Sequence, residues 1–127
     1  MALSGLVLLD KSALVRLDDL DPDLGEPCIC AVTRLEILYS ARSARGYEQL
    51  GEQLDSFREL RMDAETFAVA RTAQRELAAK SRHRVPIPDL LIAACAHQHQ
   101  ADVLHVDRHY DVLAQVLSFR AIRVEEP

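Results

Sequence analysis

Four acidic residues stand where a carboxylate does more than keep the chain soluble: Asp10, Glu36, Asp89 and Asp107. Asp10 closes the apolar run Leu6-Val7-Leu8-Leu9, and Asp107 directly follows the strand-like stretch Asp102-Val103-Leu104-His105-Val106. Asp89 opens the apolar segment Leu90 to Ala96, and Glu36 sits among Leu35, Ile37 and Leu38. In an open α/β sheet the ligand site lies beyond the carboxyl ends of the strands, so all four acids are expected to converge on one sheet edge. Carboxylates gathered in that way repel and raise one another's pKa. A hard divalent cation offsets this, and Mg²⁺ or Mn²⁺ with octahedral oxygen ligation is the natural choice. Such an ion activates water for attack on phosphorus and neutralises charge on the leaving oxygen. The expected chemistry is metal-assisted phosphodiester hydrolysis.

Each acid also has a plain structural reading. Asp10 caps the helix that begins near Ser12, and Glu36 is the capping-box partner of Thr33. Asp89 is a first-turn residue favoured by the helix dipole, and Asp107 is a turn residue. Four such roles falling independently at one end of one sheet explain less than a single shared site does. Other polar clusters carry less. His97-x-His99 falls on two faces of a helix, because positions two apart do not meet. His105-x-Asp107-x-His109 writes a transition-metal site on paper, but His109 is expected beyond the strand end. Arg82, His83 and Arg84 form a short basic loop before Pro86, and Arg108 follows Asp107; these are the candidates for phosphate contact.

The elements that must hold these residues follow from periodicity. Leu6 to Leu9 reads as a strand buried on both faces. Ser12 to Leu17 reads as a short helix, Asp18 to Asp23 as an acidic turn broken by Gly25 and Pro27, and Cys28 to Val32 as a second strand. Thr33 is expected to cap the next helix. Tyr47, Leu50, Leu54 and Phe57 share one helical face, and so do Phe67, Ala70, Ala73 and Leu77. The first of these faces serves the core or a second copy of the chain. Leu60 to Met62 is a candidate edge strand. After Pro86 and Pro88 comes a buried helix over 90–96, then a strand over 102–106, a helix over 110–117 and a last strand over 121–124. The alternation predicts an α/β domain with a mostly parallel sheet, one domain over 1–127.

Composition narrows the class. Apolar residues make up 49% and charged residues 28%, an ordinary globular mix for 127 residues. No apolar run approaches a membrane span, and the start, Met1-Ala2-Leu3-Ser4-Gly5, lacks a basic flank. Cytoplasmic location is therefore expected. The three cysteines, Cys28, Cys30 and Cys95, are odd in number and read as buried thiols rather than a disulfide framework. The net charge of −5 is unusual for a nucleic-acid binder. Residues 42–84, however, carry nine Arg/Lys against seven Asp/Glu, so the acidity is concentrated elsewhere.

At this point the motifs resemble a known family. Leu8-Leu9-Asp10-Lys11-Ser12-Ala13-Leu14 resembles the opening motif of PIN domains, and Thr33 to Arg42 is similar to the second-acid helix of VapC-type proteins. Pro88-Asp89-Leu90-Leu91-Ile92-Ala93-Ala94 closely resembles the third-acid motif, and Leu104 to Asp111 the fourth. The resemblance implies a three-layer α/β/α sandwich and Mg²⁺ or Mn²⁺ held by Asp10, Glu36, Asp89 and Asp107. Ser12 would orient Asp10 or a bound water, and Thr33 would support the second acid. Beside these, Arg82, Arg84 and Arg108 stand as the candidate RNA contacts read from the sequence, and Lys11 either points outward or contacts RNA. The resemblance further implies an endoribonuclease acting on transfer or ribosomal RNA, a homodimer, and a small VapB-type antitoxin that covers the site, as in type II toxin–antitoxin pairs. Two positions depart from the family pattern: Lys11 and His105 stand where Thr is common.

Rival readings fare worse. A receiver domain would want paired acids after the first strand and a late Lys, and the two lysines are Lys11 and Lys80. A dinucleotide-binding domain would want a glycine-rich turn, absent from Asp10-Lys11-Ser12-Ala13. A phosphatase with a nucleophilic Asp would carry a second Asp where Ser12 stands. The remaining alternative is a non-catalytic interaction or RNA-binding module, against which the presence of all four acids counts.

Overall fold

The computed structural model describes residues 5–16, 18 and 20–124. Expectations placed on Met1 to Ser4, Leu17, Asp19 and 125–127 lie outside the described residues. The elements run β1 (Leu6–Leu9), α1 (Lys11–Leu14), a 3-10 turn (Pro22–Leu24), β2 (Glu26–Ile29), α2 (Ala31–Tyr39), α3 (Ala44–Leu54), β3 (Arg58–Glu59), α4 (Ala64–Ala79), α5 (Ile87–His99), β4 (Asp102–His105), α6 (His109–Leu113) and β5 (Ala121–Arg123).

The strands pair in the order β3-β2-β1-β4-β5, and every pairing is parallel. The chain starts in the middle with β1, builds outward through β2 and β3, then returns to the other side of β1 for β4 and β5. The connections reverse direction between β1 and β4, and the crevice beyond the carboxyl ends of those two strands is the usual ligand position in such sheets.

The apolar run of β1 works on both faces. Leu6 and Leu8 pack with Cys28 and Val103 against α4, α5 and α6, while Val7 and Leu9 pack with Leu104 and Ala13 on the opposite face. Ile29 continues that second face against Ile37 and Leu38 of α2 and Leu54 of α3. Helices therefore cover both sides of the sheet, which makes the three layers. Burying a Leu or Ile side chain of this kind stabilises by about 1.5–3 kcal/mol. Cys28, Cys30 and Cys95 are buried free thiols, as expected.

Several boundaries differ from the sequence reading for identifiable reasons. The second strand begins at Glu26, earlier than Cys28, and includes Pro27. Glu26 donates its N–H to the Gly5 carbonyl at 2.9 Å, so the next residue faces the β3 side, where β3 begins only opposite Cys28. A missing N–H costs little there. Gly25, at φ 141, permits the approach, since a Cβ would stand 2.7 Å from the Gly5 oxygen.

Because the strand ends early, α2 starts at Ala31 with Cys30 as its N-cap, and the expected Thr33–Glu36 capping box does not form. Thr33 is instead buried in the first turn and donates its hydroxyl to the Leu9 carbonyl at 2.9 Å. Among the described residues a capping box forms instead between Asp63 and Thr66 at the start of α4. Its neighbour Gln98 on α5 donates to Asp63 Oδ1 at 2.9 Å and also meets the Thr66 hydroxyl, tying the two helices together. Thr66 thereby takes the core position expected for Phe67, which is 53% exposed, and Tyr47 likewise faces outward. The last helix is shorter than expected, ending at Leu113.

Candidate active site

The four acids named from the sequence line one open pocket of about 610 Å³ beyond the carboxyl ends of β1 and β4. Each arrives by a different route. Asp10 is the residue after β1 and N-cap of α1, so its side chain turns back over the strand end. Asp107 follows β4 by two residues. Asp89 sits in the first turn of α5, and Glu36 lies on α2, one turn past buried Thr33.

Asp10 is held most firmly. Its Oδ1 accepts the Ser12 hydroxyl at 2.7 Å and the Ala13 N–H at 2.9 Å, and the side chain is buried. Ser12 Oγ also accepts the Val106 N–H at 3.3 Å, which links the β1 end to the segment carrying Asp107. Thr33, by holding the Leu9 carbonyl, fixes the backbone next to Asp10.

Asp89 and Asp107 are joined by His109, which the sequence reading weighed and set aside, and Asp89 also meets Tyr110, read there only as the start of a helix. His109 Nδ1 lies 3.1 Å from Asp89 Oδ2 and 2.9 Å from Asp107 Oδ1. The His109 N–H donates to Asp107 Oδ1 at 3.0 Å, and the Tyr110 hydroxyl donates to Asp89 Oδ1 at 3.3 Å. His109 does stand past the strand end, but the first turn of α6 folds it back over Asp89. The available signal was its place two residues after Asp107, at the start of a helix. Asp89, Asp107 and His109 each offer one atom, all within 4.8 Å of one another.

The electrostatics are those of crowded carboxylates. Burial pushes the Asp10 pKa up, opposed by its bonds to Ser12 and Ala13. Burial also raises Glu36, with further contributions from the charges of Asp89 and Asp10 and relief from Lys11. Burial raises Asp89, opposed by the His109 hydrogen bond and reinforced by Asp107. Tyr110 is driven far above its ordinary value, first by burial and then by the three nearby acids, so it remains a hydrogen-bond donor.

His105 has a different place from the one its spacing suggested. It is fully buried and packs on the Tyr110 ring at 5.1 Å, with neither ring nitrogen hydrogen-bonded among the described residues. Burial lowers its pKa. A site built from His105, Asp107 and His109 together does not form; His109 pairs with Asp89 and Asp107 instead.

Lys11 and Arg108 line the acid pocket, and so do Arg16 and Arg123, which the sequence reading did not single out. Arg82 and Arg84 do not; with His83 and Val112 they line a separate surface depression, which continues through His83 and Ala78 to Arg71 and Arg75 on α4.

The donor set fits a divalent cation. No ion pair joins Asp10 or Glu36 to a basic side chain among the described residues, whereas the buried Asp102 at the other end of β4 is bridged by Arg120 at 3.1 Å. Asp10 and Glu36 converge without such a partner, while Asp89 and Asp107 share His109, and oxygen donors of this kind are what Mg²⁺ and Mn²⁺ take.

Comparison with known proteins gives the family. The sequence profile of the PIN domain matches residues 6–116. The chain belongs to the PIN domain family. Among its PIN-domain relatives, Ribonuclease VapC17 of Mycobacterium tuberculosis is 43% identical over 116 residues, covering 86% of this chain and 87% of the relative. Ribonuclease VapC18 of the same species is 47% identical over 91 residues, covering 69% and 66%. Among solved structures, VapBC-5 of Mycobacterium tuberculosis, a member of the VapBC family of toxin–antitoxin systems, superposes with a TM-score of 0.73 at 26% identity. It covers 94% of this chain and 99% of that one. DNA-bound VapBC from Salmonella typhimurium gives the same TM-score of 0.73 at 20% identity, over 92% and 96% of the two chains, a likeness of fold. The expected PIN fold and VapC resemblance are thus borne out. No helix among the described residues is long and apolar enough to cross a membrane.

Proposed function

We propose that this PIN domain is a metal-dependent endoribonuclease and the toxin of a type II toxin–antitoxin pair, acting in the cytoplasm on structured RNA of the transfer or ribosomal class. The observation that carries the reading is the convergence of Asp10, Glu36, Asp89 and Asp107 on one pocket at the reversal point of the sheet. The ribonuclease names of the curated relatives support the substrate, and the toxin–antitoxin complexes among the structural neighbours support the partner.

The four carboxylates would hold Mg²⁺ or Mn²⁺, which when bound supplies Lewis acidity at the phosphodiester and a water of lowered pKa. The chain's own residues prepare the site. Ser12 and the Ala13 N–H both bond to Oδ1 of Asp10, which fixes the direction of its other oxygen. Asp89 is held at both oxygens, with Tyr110 on Oδ1 and His109 on Oδ2. Lys11, Arg16, Arg108 and Arg123 place positive charge at the rim, where an RNA phosphate is drawn to an otherwise acidic protein.

A partner surface adjoins the pocket. Leu35, Tyr39 and Ile87 are exposed and, with Val32 and Leu91, line an apolar groove that shares Lys11 and Glu36 with the acid pocket. We assign this groove to an antitoxin segment, which from there reaches the acids with a basic side chain. A second copy of the chain is expected to complete a homodimer elsewhere on the surface.

The deciding experiment is RNA cleavage with and without Mg²⁺ or Mn²⁺, comparing wild type with Asp10→Asn and Asp89→Asn. Metal-dependent cleavage lost in both variants is expected. Equal cleavage by the variants, or none by wild type with either ion across a broad RNA panel, rejects a nuclease. Growth arrest on expression, relieved by the cognate partner, tests the toxin role separately.

A further inference from the structure

We infer that His109 is a nitrogen donor to the divalent ion and makes this site select Mn²⁺ over Mg²⁺, an inference that rests on the metal-dependent reading above. The carboxylates alone discriminate less, because both ions accept hard oxygen ligands. Imidazole changes the set. Affinity of a nitrogen-containing site rises along the first transition series, while Mg²⁺ favours carboxylate, carbonyl and water.

The geometry is that of adjacent ligands. Two neighbouring donors around an octahedral ion with bonds of about 2.1 Å stand about 3.0 Å apart. His109 Nδ1 stands 3.1 Å from Asp89 Oδ2 and 2.9 Å from Asp107 Oδ1. An ion on the open side of His109 meets a donor from each residue with small shifts, because Asp89, Asp107 and His109 each offer one atom within 4.8 Å of the others. The imidazole is already in place: its own backbone N–H is anchored on Asp107, and the next residue, Tyr110, is anchored on Asp89. Its side chain is 36% exposed and so meets the solvent from which an ion arrives. A closed tetrahedral zinc site is not matched, since the cysteines are buried in the core and a single imidazole joins the acids.

Position 109 offers a substitution that separates donor chemistry from structure. In His109→Asn a side-chain amide oxygen can stand close to where Nδ1 stood, converting the site to oxygen donors alone. Calorimetric titration of the whole protein with Mn²⁺ and with Mg²⁺ should show wild type binding Mn²⁺ more tightly. The ratio of the two affinities should fall by about tenfold or more in His109→Asn while Mg²⁺ binding persists, the persistence showing that the variant is folded. Pulsed electron paramagnetic resonance on the Mn²⁺-loaded wild type should show coupling to an imidazole ¹⁴N, absent in the variant. Mn²⁺ bound without nitrogen coupling, or an unchanged affinity ratio, overturns the inference and leaves the nuclease standing. Failure of wild type to bind either ion overturns both.

Discussion

Ser12 donates its hydroxyl to Asp10 Oδ1 at 2.7 Å and, through the same oxygen atom, accepts the Val106 N–H at 3.3 Å. One small side chain thus sets the aim of the carboxylate after β1 and its distance from the chain segment that carries Asp107. In Ser12→Ala both bonds vanish, while the Ala13 N–H still holds Asp10. The expected stability loss is about 1 kcal/mol, and the expected loss of metal affinity or cleavage rate is about 10–100-fold. Thermal melts beside cleavage kinetics will measure the two. A proportionate fall in both would reduce Ser12 to a fold residue.

Crowding among the acids makes a pH prediction. The folded state raises the pKa of Glu36 above its ordinary 4.5, chiefly by burial and then through Asp89 and Asp10. A raised carboxylate contributes stability below the unfolded value and loses it as pH rises through the folded one. Glu36→Gln removes that loss. The variant should melt higher than wild type at pH 7 without added metal, and its advantage should disappear near pH 4.5, the ordinary value. Saturating Mn²⁺ should reverse the order at pH 7, because the ion stabilises only the intact set of ligands. Melting curves across pH with and without the ion decide it; a Glu36→Gln variant less stable in every condition would contradict the account.

The basic side chains divide into two groups with different expected effects. Arg108 lines the acid pocket, so Arg108→Ala should lower cleavage of even a short RNA. Arg82 and Arg84 open onto the surface that runs to Arg71 and Arg75. Their removal should weaken binding of long RNA and reduce the steepness of its salt dependence by about 0.7–0.9 for each phosphate no longer neutralised. Titrations at several salt concentrations, using Asp89→Asn to prevent cutting, read this directly. An unchanged slope in Arg82→Ala/Arg84→Ala would leave that loop as a solvated surface.

The backbone of this site was legible in sequence because its strongest elements speak one language throughout. Leu6 to Leu9 is apolar at every position, and both faces are buried; Asp89 heads a helix whose following residues are mostly buried. Such segments tolerate one structure, and the acid at the end of each is thereby placed. What could not be read depends on contacts between segments distant in sequence. Pro27 reads as a breaker until the shortness of β3 shows that its missing N–H faces no partner strand. Phe67 and Thr66 compete for one core position, and the winner is decided by Gln98, 32 residues away. His109 and Tyr110 join the site because α6 packs against α5, which local periodicity does not encode.

The apolar groove beside the pocket carries the last prediction. Tyr39 is 90% exposed, Leu35 63% and Ile87 54%, an unusual cluster on a small protein. Large side chains of this type become anchors when a partner covers them, and truncating one costs about 1–2 kcal/mol of binding, roughly tenfold in affinity. None of the three lines the acid pocket, so Tyr39→Ala and Leu35→Ser should leave cleavage of a short RNA unchanged. Because the groove shares Lys11 and Glu36 with that pocket, an occupant of the groove necessarily crowds the acids. The cognate antitoxin should therefore inhibit cleavage by wild type, and about ten times more of it should be needed against either variant. Inhibition that is equally potent on wild type and on Tyr39→Ala/Leu35→Ser would place the antitoxin on another face of the molecule.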